Sequence, residues 1–484
     1  MPQPPDDRTT PHANEALAQI EVEPSSTSTA QSQRVTFAEA VRVWVRVALL
    51  SFGGPAGQIA VMHRILVEEK RWISEHRFLF ALNYCTLLPG PEAQQLATYI
   101  GWLLHGTRGG LVAGTLFVLP GFLCILVLSI LYAEYRDLGY VQALFFGLKP
   151  AVIAVVIEAV VRIGRRALRN KLMAWLAALA FVGIFVFQVP FPWIVLSAFV
   201  FGYFGSRFRP QWFLATASHA PGQEKHASEA AGGVVHEAHF TSVTPTVGRA
   251  ARVAAVWSAL WFAPVALLWW ATGQNSVYTT EALFFSKTAV VTFGGAYAVL
   301  AYIQQECVNT YAWLLPGEML DGLGMAETTP GPLIMVVAFV AFMGAYHDPG
   351  SLPPILAGAI GAGIATWVTF VPCFLWIFLG APYVEQLRDR RSLSAGLAAI
   401  TAAVVGVILN LSVWFALYTL FARVDERHVL GARLLVPDWR SLDLVTALLA
   451  VLALVALMRL KIGLLWTLAL STCLGLVYFR FLRG

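Results

Sequence analysis

Long apolar runs without a charged residue dominate the chain. Examples are residues 109–133, 172–206, 253–280, 349–384 and 392–422. A membrane-spanning helix needs about 20 apolar residues, so each run can supply one or two such helices. The runs lack the short alternating pattern of an outer-membrane barrel. The pattern therefore predicts an all-α, polytopic membrane protein.

We predict about thirteen hydrophobic segments, and most should cross the bilayer. The pattern does not decide whether residues 78–104 and 317–346 span it fully or re-enter, because both contain polar and proline-rich interruptions. The predicted segments are 37–66, 78–104, 109–133, 139–161, 172–188, 190–206, 251–272, 281–304, 317–346, 351–380, 393–421, 442–458 and 462–481.

Composition supports the membrane interpretation. Hydrophobic residues make up 58% of the chain and charged residues 13%, against about 25% charged residues in soluble domains. The net charge is +5, and the basic residues cluster near segment ends, so nothing indicates a nucleic-acid partner. The five cysteines are scattered without a CxxC pair, and we expect no metal and no cofactor.

Two polar stretches divide the chain. Residues 1–34 have the composition of a disordered tail, and residues 207–250 form a polar loop. Between them we expect one repeat with trailing helices at 35–206, and after them a second repeat with flanking helices at 251–484.

Loop charges predict the orientation. Basic loops stay in the cytoplasm, which applies to the Arg162–Lys171 loop and to the central polar loop. The N-terminus should then be cytoplasmic and the C-terminus external. The loop with Lys70, Arg71 and Arg77 fits the positive-inside rule poorly, because alternating the predicted crossings places this basic loop outside the cell.

An internal repeat relates the two halves. SFGGPAGQIAVM begins at Ser51 and TFGGAYAVLAYI at Thr292, an offset of 292 − 51 = 241. The two Pro-Gly-Pro motifs share that offset, since 330 − 89 = 241. Seven predicted crossings separate the copies, an odd number, which predicts an inverted-topology repeat. Secondary transporters commonly have this architecture, with the substrate site at mid-membrane between the repeats.

The repeated motifs are backbone breakers. Glycine pairs permit close approach or a break, and two prolines around a glycine end one helix and suit the start of the next. Broken helices at membrane depth are tolerated where they are buried or line a cavity, and a helix N-terminus favours an anion. The predicted substrate-binding residues are Ser51, Phe52, Gly53, Gly54, Pro89, Gly90, Pro91, Glu92, Gln94, Gln95, Lys149, Thr292, Phe293, Gly294, Gly295, Thr329, Pro330, Gly331 and Pro332.

Three ionisable residues receive a role because charges inside a membrane are usually functional. Lys149 is a candidate buried cation, although snorkelling towards the interface would also explain it. Glu92 and Glu327, beside the two Pro-Gly-Pro motifs, are candidates for proton coupling.

Several long strings resemble the chromate ion transporter family, in its long two-domain form. They are SFGGPAGQIAVMH from Ser51, EEKRWIS from Glu68, LLPGPEAQQLATYIGW from Leu87, GGLVAGTLFVLPG from Gly109 and GLGMAETTPGPLIMV from Gly322. Residues 37–170 and 280–415 carry the resemblance strongly. One departure is Phe80, where related sequences often have histidine, which weakens any proton relay there.

The resemblance implies an inner-membrane protein that exports chromate and confers chromate resistance, with sulfate as a competitor and the lipid bilayer as its solvent. Formation of a homo-oligomer is left open. One alternative keeps transport but changes the cargo to sulfate or another oxyanion, or makes the protein a channel. A membrane-embedded enzyme is disfavoured, because no nucleophile–base pair or carboxylate pair accompanies the repeated motifs.

Overall fold

A computed structural model describes residues 35–208, 246–293, 295–383, 391–429 and 432–483. The predicted tail at 1–34, most of the polar loop at 207–250, and Gly294 lie outside these ranges. The described chain is mostly helical.

The described residues of the first half form seven helices. They are α1 (Phe37–Leu50), α2 (Gly54–His63, continued by a π-helical turn Arg64–Glu69), α3 (Glu75–Cys85), α4 (Glu92–Tyr135), α5 (Gly139–Ala167), α6 (Lys171–Phe185) and α7 (Phe191–Phe208).

The second half begins with α8 (Val247–Thr272), which has no counterpart among the described residues of the first half. The remaining helices are α9 (Val277–Val291), α10 (Ala296–Gln304, continued by a π-helical turn Gln305–Thr310), α11 (Pro316–Thr328), α12 (Val336–His347, preceded by a 3-10 turn Leu333–Met335), α13 (Pro354–Gly380), α14 (Arg391–Leu420), α15 (Leu444–Met458) and α16 (Leu464–Tyr478).

Seven helices in the described residues are long and apolar enough to cross a membrane, and three more apolar helices are shorter. A polytopic helical membrane protein is therefore confirmed, whereas the predicted count of about thirteen spans is not. The all-α prediction also omits one antiparallel hairpin, β1 (Val424–Val429) paired with β2 (Ala432–Pro437). This hairpin lies in the gap between the predicted segments 393–421 and 442–458.

The predicted segment 37–66 folds back on itself. Helix α1 ends at Leu50, the chain turns at residues 51–53, and α2 returns, so that the Lys70 ammonium lies 2.9 Å from the Glu39 carboxylate. The predicted segment 78–104 does the same. Helix α3 enters, the chain breaks before Glu92, and α4 returns to place the His105 ring 2.9 Å from the Val35 carbonyl oxygen. We call the side that holds these outer ends the N-terminal side.

Helix α4 then kinks at His105 and Gly106, where the backbone leaves the helical region, and runs away from the N-terminal side. Just beyond its last residue, Arg136 pairs with Glu318 at the start of α11. We call the side that holds this pair the opposite side.

The second half also contains two such hairpins. The first pair is α9, which ends at Val291, and α10, which begins at Ala296. The second pair is α11 and α12, which turns at 329–332. Their outer ends meet where the His347 imidazole lies 3.1 Å from the Trp313 carbonyl oxygen and the Tyr278 hydroxyl donates to the Pro349 carbonyl at 3.3 Å.

The repeat extends well beyond its sequence motifs. Arg71 and Ala312, which are related by the offset of the motifs, share an unusual left-handed backbone with φ of +52°. Helices α5 and α14 are related by a longer offset, since residues 148–158 match residues 400–410 and 400 − 148 = 252. The added length falls in the loop between α12 and α13, where the first half has the kink of α4. For α6 and α15 the offset is 444 − 171 = 273, and for α7 and α16 it is 464 − 191 = 273. The β-hairpin lies in this last insertion.

The two halves are interleaved. Helix α5 packs along α15 and α16, and reciprocally α14 packs along α6 and α7. Glycines permit both crossings: a Cβ on Gly475 would lie 2.4 Å from the Gly147 Cα, and a Cβ on Gly202 would lie 2.6 Å from the Ala395 carbonyl oxygen. These contacts fix α5 and α14 at the interface between the halves.

Candidate functional site

The four hairpin turns meet at one place. The Gly90 amide donates to the Thr292 carbonyl at 2.8 Å, and the Gly331 amide donates to the Ser51 carbonyl at 2.9 Å. Each hydrogen bond joins the Pro-Gly-Pro turn of one half to the residue that precedes the Phe-Gly-Gly motif of the other half. Contacts of the type i-to-j and j-to-i are the signature of a two-fold relation. We call this meeting point the central crossing.

Local sequence explains the breaks. Gly90 and Gly331 adopt φ of +119° and +98°, a region that side-chain-bearing residues rarely occupy. Pro91 and Pro332 are the residues immediately before the next helical segments, where a missing amide hydrogen costs nothing. The predicted interruption of the helix at both Pro-Gly-Pro motifs is confirmed.

Polar groups of the crossing are largely engaged within the protein. The hydroxyls of Ser51 and Thr292 each donate to the carbonyl one helical turn earlier, at 2.6 Å. Thr329 donates to the Ala326 carbonyl at 3.3 Å. In this conformation these hydroxyl hydrogens, like the two glycine amides, serve the backbone of the crossing.

Glutamines reinforce the same point. The Gln95 amide donates to the Pro89 carbonyl at 2.7 Å, and the Gln58 amide donates to the Gly331 carbonyl at 2.6 Å. Gln94 donates to the Thr98 hydroxyl at 3.1 Å. Glu92 is the first residue of α4 and is partly buried. The broken segments are therefore packed inside the protein.

A cavity of about 260 Å³ adjoins the Phe-Gly-Gly turn of the first half. It lies towards the N-terminal side, because the last third of α5 supplies part of its wall. Gly53 lines it together with three charged side chains, Glu158, Arg162 and Lys461, and the hydroxyl-bearing Tyr297. The rest of the lining is apolar and consists of Val155, Leu457, Ile462 and Leu464. We call it the crossing cavity.

Tyr297 links this cavity to a buried carboxyl group. Its hydroxyl lies 3.5 Å from the position that a Cβ on Gly54 would take, and it donates to Glu327 Oε1 at 2.7 Å. Glu327 is 1% exposed, and its Oε2 has no hydrogen-bond partner among the described residues. The candidate coupling residue therefore lies one hydroxyl away from the cavity.

Lys149 lies elsewhere. Its ammonium is 3.2 Å from Asp321 Oδ1, and Tyr132 donates to Asp321 Oδ2 at 2.9 Å. This pair lines a separate cavity of about 560 Å³ with Arg136, towards the opposite side. The substrate-binding role of Lys149 stays a prediction, and its contacts describe a structural ion pair.

The structure thus brings most of the predicted residues together and adds others. Gly294 lies outside the described residues. Sequence reasoning missed Arg162, Lys461, Tyr297 and Gln58 as members of the site. The sequence places Arg162 in a basic loop and one helical turn after Glu158 at a helix end, but neither position links it to the Phe-Gly-Gly turn. For Lys461, residues 459–463 separate two apolar segments, and only the fold shows that they reach the crossing.

The fold and the site define a helical membrane protein whose two related halves each interrupt their helices at a shared centre. The chain belongs to the chromate transporter family, whose model matches residues 38–203 and 280–476. The match includes α6, α15 and most of α7 and α16, and so extends past the motifs.

Three relatives are similar over most of the chain. A chromate transport protein of Cupriavidus metallidurans is 28% identical, covering 88% of this chain and 89% of its own. A chromate transport protein of Pseudomonas aeruginosa is 33% identical, covering 75% and 77%. A probable chromate transport protein of Synechococcus elongatus is 26% identical, covering 75% and 81%. No solved structure matches the chain.

Proposed function

We propose that this protein exports chromate from the cytoplasm across the inner membrane and so confers chromate resistance. The family membership and the names of the relatives support the cargo. The observation that carries a transport mechanism is the reciprocal pair of hydrogen bonds, Gly90 to Thr292 and Gly331 to Ser51, which joins four helix breaks at one point.

The proposed architecture is an inverted-topology repeat. The hairpins of the first half have their outer ends with Lys70 and His105, and those of the second half with Trp313 and His347. Helix α4 runs from the first set of outer ends to the second, so the two sets lie on opposite sides of the protein. Two copies of one unit that face opposite ways would have this arrangement. Rocking of one repeat against the other would then expose the crossing alternately to each side.

We propose that the N-terminal side faces the cytoplasm. Lys70, Arg71 and Arg77 follow a hairpin that returns, so they lie on the same side as Arg162 and Arg165 near the end of α5. This removes the poor fit of the Lys70–Arg77 loop to the positive-inside rule. The C-terminus, beyond α16, is then external.

Energetics are compatible with export. An inside-negative potential favours anion exit by about 2.3 kcal/mol per charge per 100 mV. A dianion therefore gains about 4.6 kcal/mol, equivalent to roughly three decades of concentration. Export thus does not require a coupling ion, and proton coupling through Glu327 or Glu92 is a separate hypothesis.

Uptake of labelled chromate into everted vesicles tests the proposal. We expect accumulation that falls when the membrane potential is collapsed, with sulfate as a competitor. Collapsing the pH gradient separately tests proton coupling. If the vesicles accumulate sulfate but not chromate, the proposed substrate is wrong. If they accumulate neither anion, the proposed transport function is wrong.

The double variant Pro89→Ala, Pro330→Ala tests the broken-helix site. We expect it to reach the membrane and to lose export, because the breaks position the crossing. The control is Pro354→Ala, which replaces an exposed proline at the start of α13. Export by the double variant at the control rate would exclude the site.

A further inference from the structure

The crossing cavity has charged residues that the matching positions of the other half lack. Lys461 and Gln188 are counterparts, since 461 − 188 = 273, and both adopt a left-handed backbone with φ of +53°. The same turn therefore forms with a neutral side chain in one half and a lysine in the other. Because Gln188 satisfies the turn, its geometry does not explain the lysine.

The other charged residues of the cavity show the same asymmetry. At the offset that relates α5 to α14, the counterparts of Glu158 and Arg162 are Asn410 and Trp414, since 410 − 158 = 252 and 414 − 162 = 252. Trp414 is 3% exposed and belongs to the apolar core with Phe191. The second half thus places two uncharged buried side chains at these positions, whereas the first half lines its cavity with two cations and one carboxylate.

The charges suit a small anion with two negative charges. Arg162 Nη1 lies 3.4 Å from Glu158 Oε2, so the guanidinium is partly neutralised when the cavity holds no anion. Lys461 has no ion-pair partner among the described residues. The cavity, at about 260 Å³, has room for a tetrahedral oxyanion and several waters.

We propose that Arg162 and Lys461 form the capture site for the oxyanion on the cytoplasmic side of the crossing, and that Glu158 competes with the oxyanion for Arg162. This rests on the proposed function for its direction of transport, but anion binding itself does not. The planar guanidinium supplies two donors in the fork geometry that matches an oxyanion, and the ammonium supplies a second charge. Gly53 lets the backbone of the turn approach the same space.

Initial rates of chromate uptake by reconstituted protein test the capture site. We expect Arg162→Gln and Lys461→Gln each to raise the apparent KM about tenfold or more, because charge-assisted contacts are the strong ones. The maximal rate should change much less, since binding rather than the later step is affected. The matched control is Arg165→Gln, which removes the same charge from the same helix at an exposed position outside the cavity.

Glu158→Gln gives a prediction of opposite sign. Removing the competing carboxylate should lower the apparent KM several-fold, an outcome that damage to the fold would not produce. This variant and Lys461→Gln keep the proposal testable if Arg162→Gln fails to reach the membrane.

Equilibrium binding of labelled sulfate to the purified full chain provides a second readout. Binding that is lost in Arg162→Gln and Lys461→Gln but retained in Arg165→Gln supports the capture site even if the wild-type protein transports no chromate, in which case only the proposed function fails. Wild-type transport with equal KM in Arg162→Gln and Arg165→Gln overturns the capture site alone. A higher KM in Glu158→Gln also overturns it.

Discussion

Replacing Gly331 by alanine should damage the central crossing more than an equivalent change at an ordinary turn. Gly331 adopts φ of +98°, and a left-handed backbone costs a side-chain-bearing residue about 1–2 kcal/mol. The new Cβ would also lie 3.1 Å from the Gly121 Cα and 3.3 Å from the Gly121 nitrogen. These are backbone atoms of α4 and cannot rotate away.

Overpacking of this kind typically costs about 1–3 kcal/mol. Added to the backbone strain, the expected loss is about 2–5 kcal/mol. The displaced turn would also weaken the hydrogen bond from the Gly331 amide to the Ser51 carbonyl. We therefore expect lower thermal stability together with reduced chromate uptake.

Gly350→Ala is the matched control. Its φ is +61°, but a Cβ there meets nothing within 4 Å, so only the backbone strain of about 1–2 kcal/mol applies. Apparent melting temperatures of the purified variants in one detergent provide the comparison. If Gly331→Ala melts with Gly350→Ala and transports normally, the close contact between the turn and α4 does not matter and the reasoning is refuted.

Three further predictions follow from buried contacts. Gly475→Ala should cost about 3 kcal/mol or more in stability, because its Cβ would lie 2.4 Å from the Gly147 Cα. The control Gly363→Ala, which has open space around it, should be neutral or stabilising, and equal melting temperatures of the two variants would contradict the close α5–α16 crossing. Glu281→Gln should keep or raise the melting temperature, because both carboxylate oxygens of the buried Glu281 lack a partner among the described residues, and a lower value would contradict this. The comparison variant Glu318→Gln should lower the melting temperature, because it breaks the pair with Arg136. Lys149→Gln should lower the free energy of unfolding by about 1–3 kcal/mol, which is below the usual cost of breaking a fully buried ion pair. Adding Asp321→Asn should recover much of that loss, and additive losses in the double-mutant cycle would show that the two side chains do not interact.

The sequence by itself determined the class, the repeat and the positions of the breaks. Apolar run length requires lipid as solvent, and proline and glycine act locally, so the interruptions before Glu92 and Leu333 could be read without a fold. The matching offsets of the motifs identified the duplication because they need only residue identity.

Tertiary structure decided which way the broken segments run and what surrounds them. Hydropathy does not encode whether α2 continues across the membrane or returns beside α1, and long-range contacts such as Lys70 with Glu39 show that it returns. The repeat in α6, α7, α15 and α16 is carried by backbone shape, at Gln188 and Lys461 for example, after side-chain identity has diverged. The crossing cavity joins Arg162, Tyr297 and Lys461 from distant parts of the chain, so only the interleaving of the two halves brings these charges together.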